Sequence, residues 1–205
     1  MRRNPVALVF FAWLLLGTLA CSLFGPSRAE MPSLHALGWS GPAPAPRPSG
    51  AAPTLLIGIP RAGPGFDSPR MAYATEPHAL AYFARHQWVD TPARMLQPLL
   101  ARAAESTGCF AAVVQAPTSV AATLRLDTEV VELVQDFSFH PSLVRVALRV
   151  QLVEVDARRV VATRDVVVAV PASSDDPPGG VVAANRAMEA ALGEVAALCA
   201  NDPPG

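Results

Sequence analysis

Four carboxylates fall within the ten residues from Asp127 to Asp136, with Glu129 and Glu132 between them, close enough in sequence for a general acid–base pair. They belong to the run ATLRLDTEVVELVQDF, in which Leu124, Leu126, Thr128 and Val130 alternate with them. On an extended strand that alternation turns Asp127 and Glu129 away from the apolar face, so the spacing predicts a solvated sheet surface rather than an acid–base site. The four histidines, His35, His78, His86 and His140, include no pair at the four-residue spacing that sets two metal ligands on one helical face. No metal site is expected. Cys109 has no histidine beside it in sequence to activate it as a nucleophile. The chain also lacks a G-x-S-x-G elbow, a G-x-x-x-x-G-K-S/T phosphate loop and a G-x-G-x-x-G turn. The reading is of a protein that is not an enzyme and needs no cofactor.

The chemistry that does stand out is at Cys21. Arg2 and Arg3 precede fifteen uncharged residues, Val6 to Ala20, a run shorter than the about 20 residues a spanning helix needs. Residues 1–20 therefore read as a signal peptide, with small Gly17 and Ala20 near a cleavage point. Thr18-Leu19-Ala20-Cys21 resembles the bacterial lipobox, with Thr18 where Leu is usual. Acylation of Cys21 at sulfur and at its freed amine would give a stable membrane anchor where one chain would be marginal. A plain signal peptide that leaves Cys21 as an incidental thiol is the alternative. Ser22 follows the cysteine rather than the Asp that retains enteric lipoproteins at the inner membrane, which favours the outer membrane.

Without Arg2 and Arg3 the sixteen basic residues, all arginine, become fourteen, against seventeen acidic ones. Nucleic acid is not an expected partner of such a surface. The length after cleavage suits one domain. Residues 21–53 hold SGPAPAPRPSGAAP, a composition that favours polyproline II, so they read as a lipid-anchored Pro/Ala-rich linker. The rival reading makes residues 33–39 a short first strand paired with the domain and leaves the proline-rich stretch as a surface loop. Residues 54–202 form the folded domain.

Within that domain TLLIGIP predicts a buried strand, and SPRMAYATEPHALAYFARHQWV two extended pieces that turn near Thr75 to His78. Thr91 and Pro92 predict a helix start, with Met95, Leu96, Leu99, Leu100 and Ala103 as its apolar stripe and Gly108 as its left-handed exit. CFAAVV, the run through Asp136, SLVRVALRVQLVEV and RRVVATRDVVVAV predict four strands joined as an antiparallel meander, with a bulge where the phase slips at Val131. Gly179 and Gly180 open a last helix striped by Val181, Ala184, Met188, Leu192, Val195 and Cys199. The expected fold class is α+β, a mainly antiparallel sheet with two helices packed on one face. Parallel helices would bring Cys109 and Cys199 together as a candidate disulfide, worth up to roughly 4 to 5 kcal/mol in the chain-entropy model. Antiparallel helices would leave two separate thiols.

HQWVDTPARMLQPLL, with Tyr82, Trp88, Asp90, Pro92 and Met95, then the Gly-Cys-Phe entry to a strand, LRLDTEVVELVQDF, VRVALRVQLVE and DDPPGGVVAANRAMEAAL, resemble the ABC-type transport auxiliary lipoprotein component family, the PqiC-like proteins. The resemblance runs from about Thr54 to Leu198. It implies a non-enzymatic envelope lipoprotein of an MCE-type ABC lipid transport system, whose partners are a periplasmic MCE-family protein, its permease and its ATPase. It implies docking of that assembly at the periplasmic face of the outer membrane. An envelope assembly lipoprotein unrelated to lipid traffic is the alternative. Arg85, Trp88 and Arg94 are the candidate partner interface, Trp88 as an aromatic anchor if its ring is exposed and as core if it is not. A homo-oligomer is compatible with the same reading.

Overall fold

The computed structural model describes residues 31–48 and 52–201; the proposed signal peptide and Cys21 lie outside them. The element order is β1 (Ser33–His35), β2 (Thr54–Ile57), β3 (Arg61–Ala62), β4 (Arg70–Ala74), β5 (Ala81–Trp88), α1 (Pro92–Glu105), β6 (Ala112–Gln115), β7 (Leu124–Asp136), β8 (Leu143–Glu154), β9 (Arg159–Pro171) and α2 (Pro177–Asn201).

β7 organises a nine-stranded sheet. One of its edges carries β8 along its whole length, and β8 in turn carries β9, both antiparallel. Its other edge is covered end to end by three short strands that all run parallel to it: β2 beside Leu124 to Leu126, β3 beside Glu129 and Val130, β4 beside Val134 to Asp136. β6 extends the sheet past β2 in parallel, and β5 then β1 extend it past β4. The expectation of a mainly antiparallel sheet is thus corrected: the sheet is mixed, and five of its eight strand pairings are parallel. The meander is limited to β7, β8 and β9, because β6 and β7, although consecutive in the chain, are separated by β2. α1 lies between the sheet's early strands and β6 and supplies the crossover that a parallel return to β2 needs.

Both helices cover one face. Leu124, Leu126, Val130, Val144, Val146, Leu148, Val150 and Leu152 turn inward from β7 and β8, onto Leu96, Leu100, Met188 and Leu192. At Val131 the register shifts against β8 and the side chain emerges half-exposed, as a bulge requires. α1 begins where Thr91 Oγ1 accepts the Arg94 N–H at 3.4 Å with Pro92 at the first position. Gly108 has φ +68°, and a Cβ there would stand 3.0 Å from that of Ala45, so both the turn and the packing call for glycine. Asp176 caps α2 by accepting the Gly179 N–H at 2.7 Å.

Residues 36–47 form a strap over this helical layer. Leu37 is buried in the core. The Gly38 N–H donates to Asn185 Oδ1 at 2.7 Å, Ser40 Oγ donates to Glu189 at 2.7 Å, and the Ala45 N–H donates to the Glu105 carbonyl at 3.1 Å. The strap thus runs from β1 across α2 to the end of α1.

Candidate functional site

The segment from β5 into α1 contains the residues singled out from sequence, and the fold treats them differently. Trp88 ends β5, where its N–H donates to the Pro69 carbonyl at 2.7 Å, and only 4% of it is exposed. Its ring is part of the core, with Met71 and Leu133 among the buried residues of the same cluster. Arg85 and Arg94 are exposed. Arg94 lies 3.6 Å from Asp90, one helical turn earlier, with three quarters of its side chain in solvent. Arg85 and Arg94 are thus surface guanidinium groups of this segment, whereas Trp88 belongs to the core.

On the sheet face away from the helices, Asp127, Glu132 and Asp136 pair with arginines, and Glu129 stands opposite one in the strand register. Arg125 grips Asp127 through Nε and Nη2 at 2.8 to 3.0 Å. Arg145 donates to Glu132 at 2.6 Å and lies 3.7 Å from Asp136. Arg149 stands directly opposite Glu129 on one side and Asp165 on the other, and donates to Asp165 at 2.8 Å. That hydrogen bond and its charge raise the Arg149 pKa above its ordinary value, and the bond holds the Asp165 carboxyl below the usual range. Carboxylates already committed to arginines make a fixed charged surface; an acid–base catalyst would instead need one carboxyl held protonated. Sequence reading placed these acids on the solvated face but missed their partners. The signal was available in the register, since alternating Arg and Asp/Glu on strands joined by short turns fall opposite each other.

Cys109 and Cys199 are free thiols. Cys109 donates weakly from Sγ to the Thr107 carbonyl at 3.6 Å. Burial first, and then the charge of Cys109, push the Cys199 thiol up to about 12. Among the described residues no group of three or more His, Cys, Asp or Glu side chains could hold a metal ion.

A histidine pair went unnoticed in the sequence. His35 Nε2 and His86 Nδ1 are 3.0 Å apart, with ring planes 18° from parallel and centroids 5.3 Å apart, the geometry of an in-line N–H···N bond. It fastens β1 to β5. Burial, then the charge of His86, lowers the His35 pKa.

A surface groove of about 350 Å³ lies where the strap passes α1 and β6, lined by Pro44, Ala45, Arg47, Glu105, Phe110 and Val113. That volume is at the low end of small-ligand sites, which span about 300 to 1,000 Å³.

Comparison with known proteins decides the family. A family model described as the ABC-type transport auxiliary lipoprotein component matches residues 35–196. The chain belongs to the ABC-type transport auxiliary lipoprotein family. The match begins inside β1 and ends inside α2, and so takes in the strap, all of α1 and most of α2. The protein XCC0632 from Xanthomonas campestris, assigned to the DUF330 family, is similar at 26% identity and a TM-score of 0.66, over 80% of this chain and 92% of that one. The hypothetical protein CT253 from Chlamydia trachomatis shares the fold at 8% identity and a TM-score of 0.52, over 75% and 99% of the two chains. No curated protein matches significantly. A transport auxiliary lipoprotein family points to a lipid-anchored protein of the cell envelope with ABC transporter partners.

Proposed function

We propose that this protein is a non-enzymatic accessory subunit of an MCE-type ABC lipid transport system, anchored through Cys21 at the periplasmic face of the outer membrane, where it docks the periplasmic end of the assembly. The observation that carries this reading is the family match over residues 35–196. The lipobox-like Thr18 to Cys21 supports the anchor, and Ser22 supports the outer membrane. An anchored subunit acts by mass action: tethering turns a weak contact into an effectively intramolecular one, which a protein without a reaction to catalyse can contribute to transport.

Arg85 and Arg94 are the side chains through which the docked partner, a periplasmic MCE-family protein, is met. The test is co-purification of the full chain from membranes with the MCE protein, permease and ATPase. Recovery of the MCE protein, reduced when Arg85 and Arg94 are both changed to Glu, is the expected result. Recovery of cell-wall or secretion machinery instead would overturn it. The purified chain is expected to carry no phospholipid, and bound phospholipid would assign it a carrier role in place of docking.

A further inference from the structure

Trp88 of β5 and Met71 of β4 both belong to the core. Because side chains alternate along a strand, their neighbours Gln87, Val89 and Arg70 turn to the other face of the sheet, and Leu34 of β1, set opposite Gln87, turns with them. Leu34, Gln87 and Arg70 thus form a row across three strands, about 10 Å from end to end at the usual strand spacing. Leu34 is 61% exposed and Val89 54%. Exposed apolar side chains taken singly are ordinary on a protein surface, so their meaning depends on what stands beside them.

What stands beside them is a prepared cation. Elsewhere on this face Arg125, Arg145 and Arg149 each hold a carboxylate. Arg70 is exposed and, among the described residues, pairs with none; its guanidinium carbon lies instead 3.7 Å from the centroid of the Tyr82 ring, a cation–π contact. Tyr82 is itself fixed, because its hydroxyl donates to the Gly65 carbonyl at 3.1 Å, in a turn where Gly65 takes φ +90°. A guanidinium lying over a ring uses its flat face and leaves its in-plane N–H groups open, so a carboxylate can be taken edge-on. The ring also holds the side chain in place beforehand, which lowers the entropy lost when a ligand arrives.

We propose, resting on the docking reading above, that Leu34, Val89 and the Arg70–Tyr82 pair form the centre of the docking surface, and that the MCE-family partner meets it with a segment carrying an Asp or Glu beside apolar side chains. The carboxylate sits on Arg70, and the apolar side chains cover Leu34 and Val89. Charge complementarity selects this occupant: a fixed, planar guanidinium with open N–H groups matches a carboxylate in shape as well as sign. A lipid surface would call for a broad apolar face, and two side chains do not make one. Arginine and tyrosine are also the types that carry most of the energy at protein interfaces. The surface is continuous with the one already assigned to the partner, since Arg85 precedes Gln87 by two residues on β5.

The test measures binding of the MCE-family protein to the full chain in detergent. Arg70→Glu is expected to lower the affinity at least about tenfold, and Leu34→Ser combined with Val89→Ser to lower it several-fold, both with the thermal midpoint unchanged because these side chains are exposed. Arg70→Lys keeps the charge without the planar fork and is expected to recover only part of the affinity. A photo-reactive residue in place of Leu34 is expected to link to an acidic segment of the MCE-family protein, and reversing that segment's carboxylate to Arg is expected to restore binding to Arg70→Glu. Undiminished affinity in Arg70→Glu, or linkage from position 34 to lipid or to a second copy of this chain, would overturn the inference and leave the docking reading standing. An unchanged chain that does not bind the MCE-family protein at all would overturn both.

Discussion

Cys199 sits 1% exposed near the end of α2, with its thiol pushed up to about 12. Near pH 8 it is almost entirely protonated, and the thiolate is the reactive form. Alkylation of the native protein at pH 8 should therefore label Cys109 and spare Cys199, with Cys199 labelled only after unfolding; mass spectrometry of the peptides distinguishes the two. Trp88 makes a complementary prediction. Truncating a buried tryptophan costs about 3 to 5 kcal/mol, so Trp88→Ala should shift the denaturation midpoint strongly. Arg94→Ala, at a solvent-exposed ion pair, should change stability by no more than about 0.5 kcal/mol. Equal losses of stability would show that the corner is built differently. Of these residues, the sequence made the environment of Cys199 legible through its helical stripe. It left Trp88 ambiguous, because an aromatic at a strand end packs inward or outward with no change in local pattern.

At the scale of elements, the clasp of β1 on β5 depends on protonation. The bond between His35 Nε2 and His86 Nδ1 needs one of the two facing nitrogens to stay an unprotonated acceptor. Protonation of His35 removes that acceptor and breaks the bond. The sign follows: the docked His35 has a lowered pKa, so the clasp is at full strength above about pH 6.5, the ordinary histidine value, and weakens as pH falls below it. Nuclear magnetic resonance signals of Leu34 and of Val89, whose N–H donates to the His35 carbonyl at 2.8 Å, should lose their docked character in mild acid. His35→Gln should remove that dependence, and a pH-independent β1 in the unchanged chain would refute it. The elements themselves were largely readable, since α1, β8 and the Val131 bulge each leave a local periodicity. β1 and the strap were readable only as one of two alternatives. Three residues make too short a strand for a pattern, and what holds the strap lies about 150 residues away, at Asn185 and Glu189.

For the whole molecule, parallel pairing is what the sequence concealed: alternation shows which face a strand buries but not which neighbour it takes. The arrangement around β7 also bears on the order in which the chain can fold. A chain that emerges from its N-terminus presents β2, β3 and β4 well before residues 124–136, the edge on which all three are seated. The β4–β5 hairpin can close in that interval, but an isolated hairpin is marginal in water. Most of the sheet must therefore wait until about two thirds of the chain is out, with apolar segments such as Leu55 to Ile57 unsheltered meanwhile. Chains ending near residue 122 should be degraded rapidly by added protease, and resistance should rise only once β7 and β8 are both present; a resistant core in the shorter chains would contradict this. Before that point the nascent protein is a client of whatever factor keeps unfolded chains apart, and its yield should be more sensitive to loss of such a holdase than that of a protein whose strands pair in the order they are made.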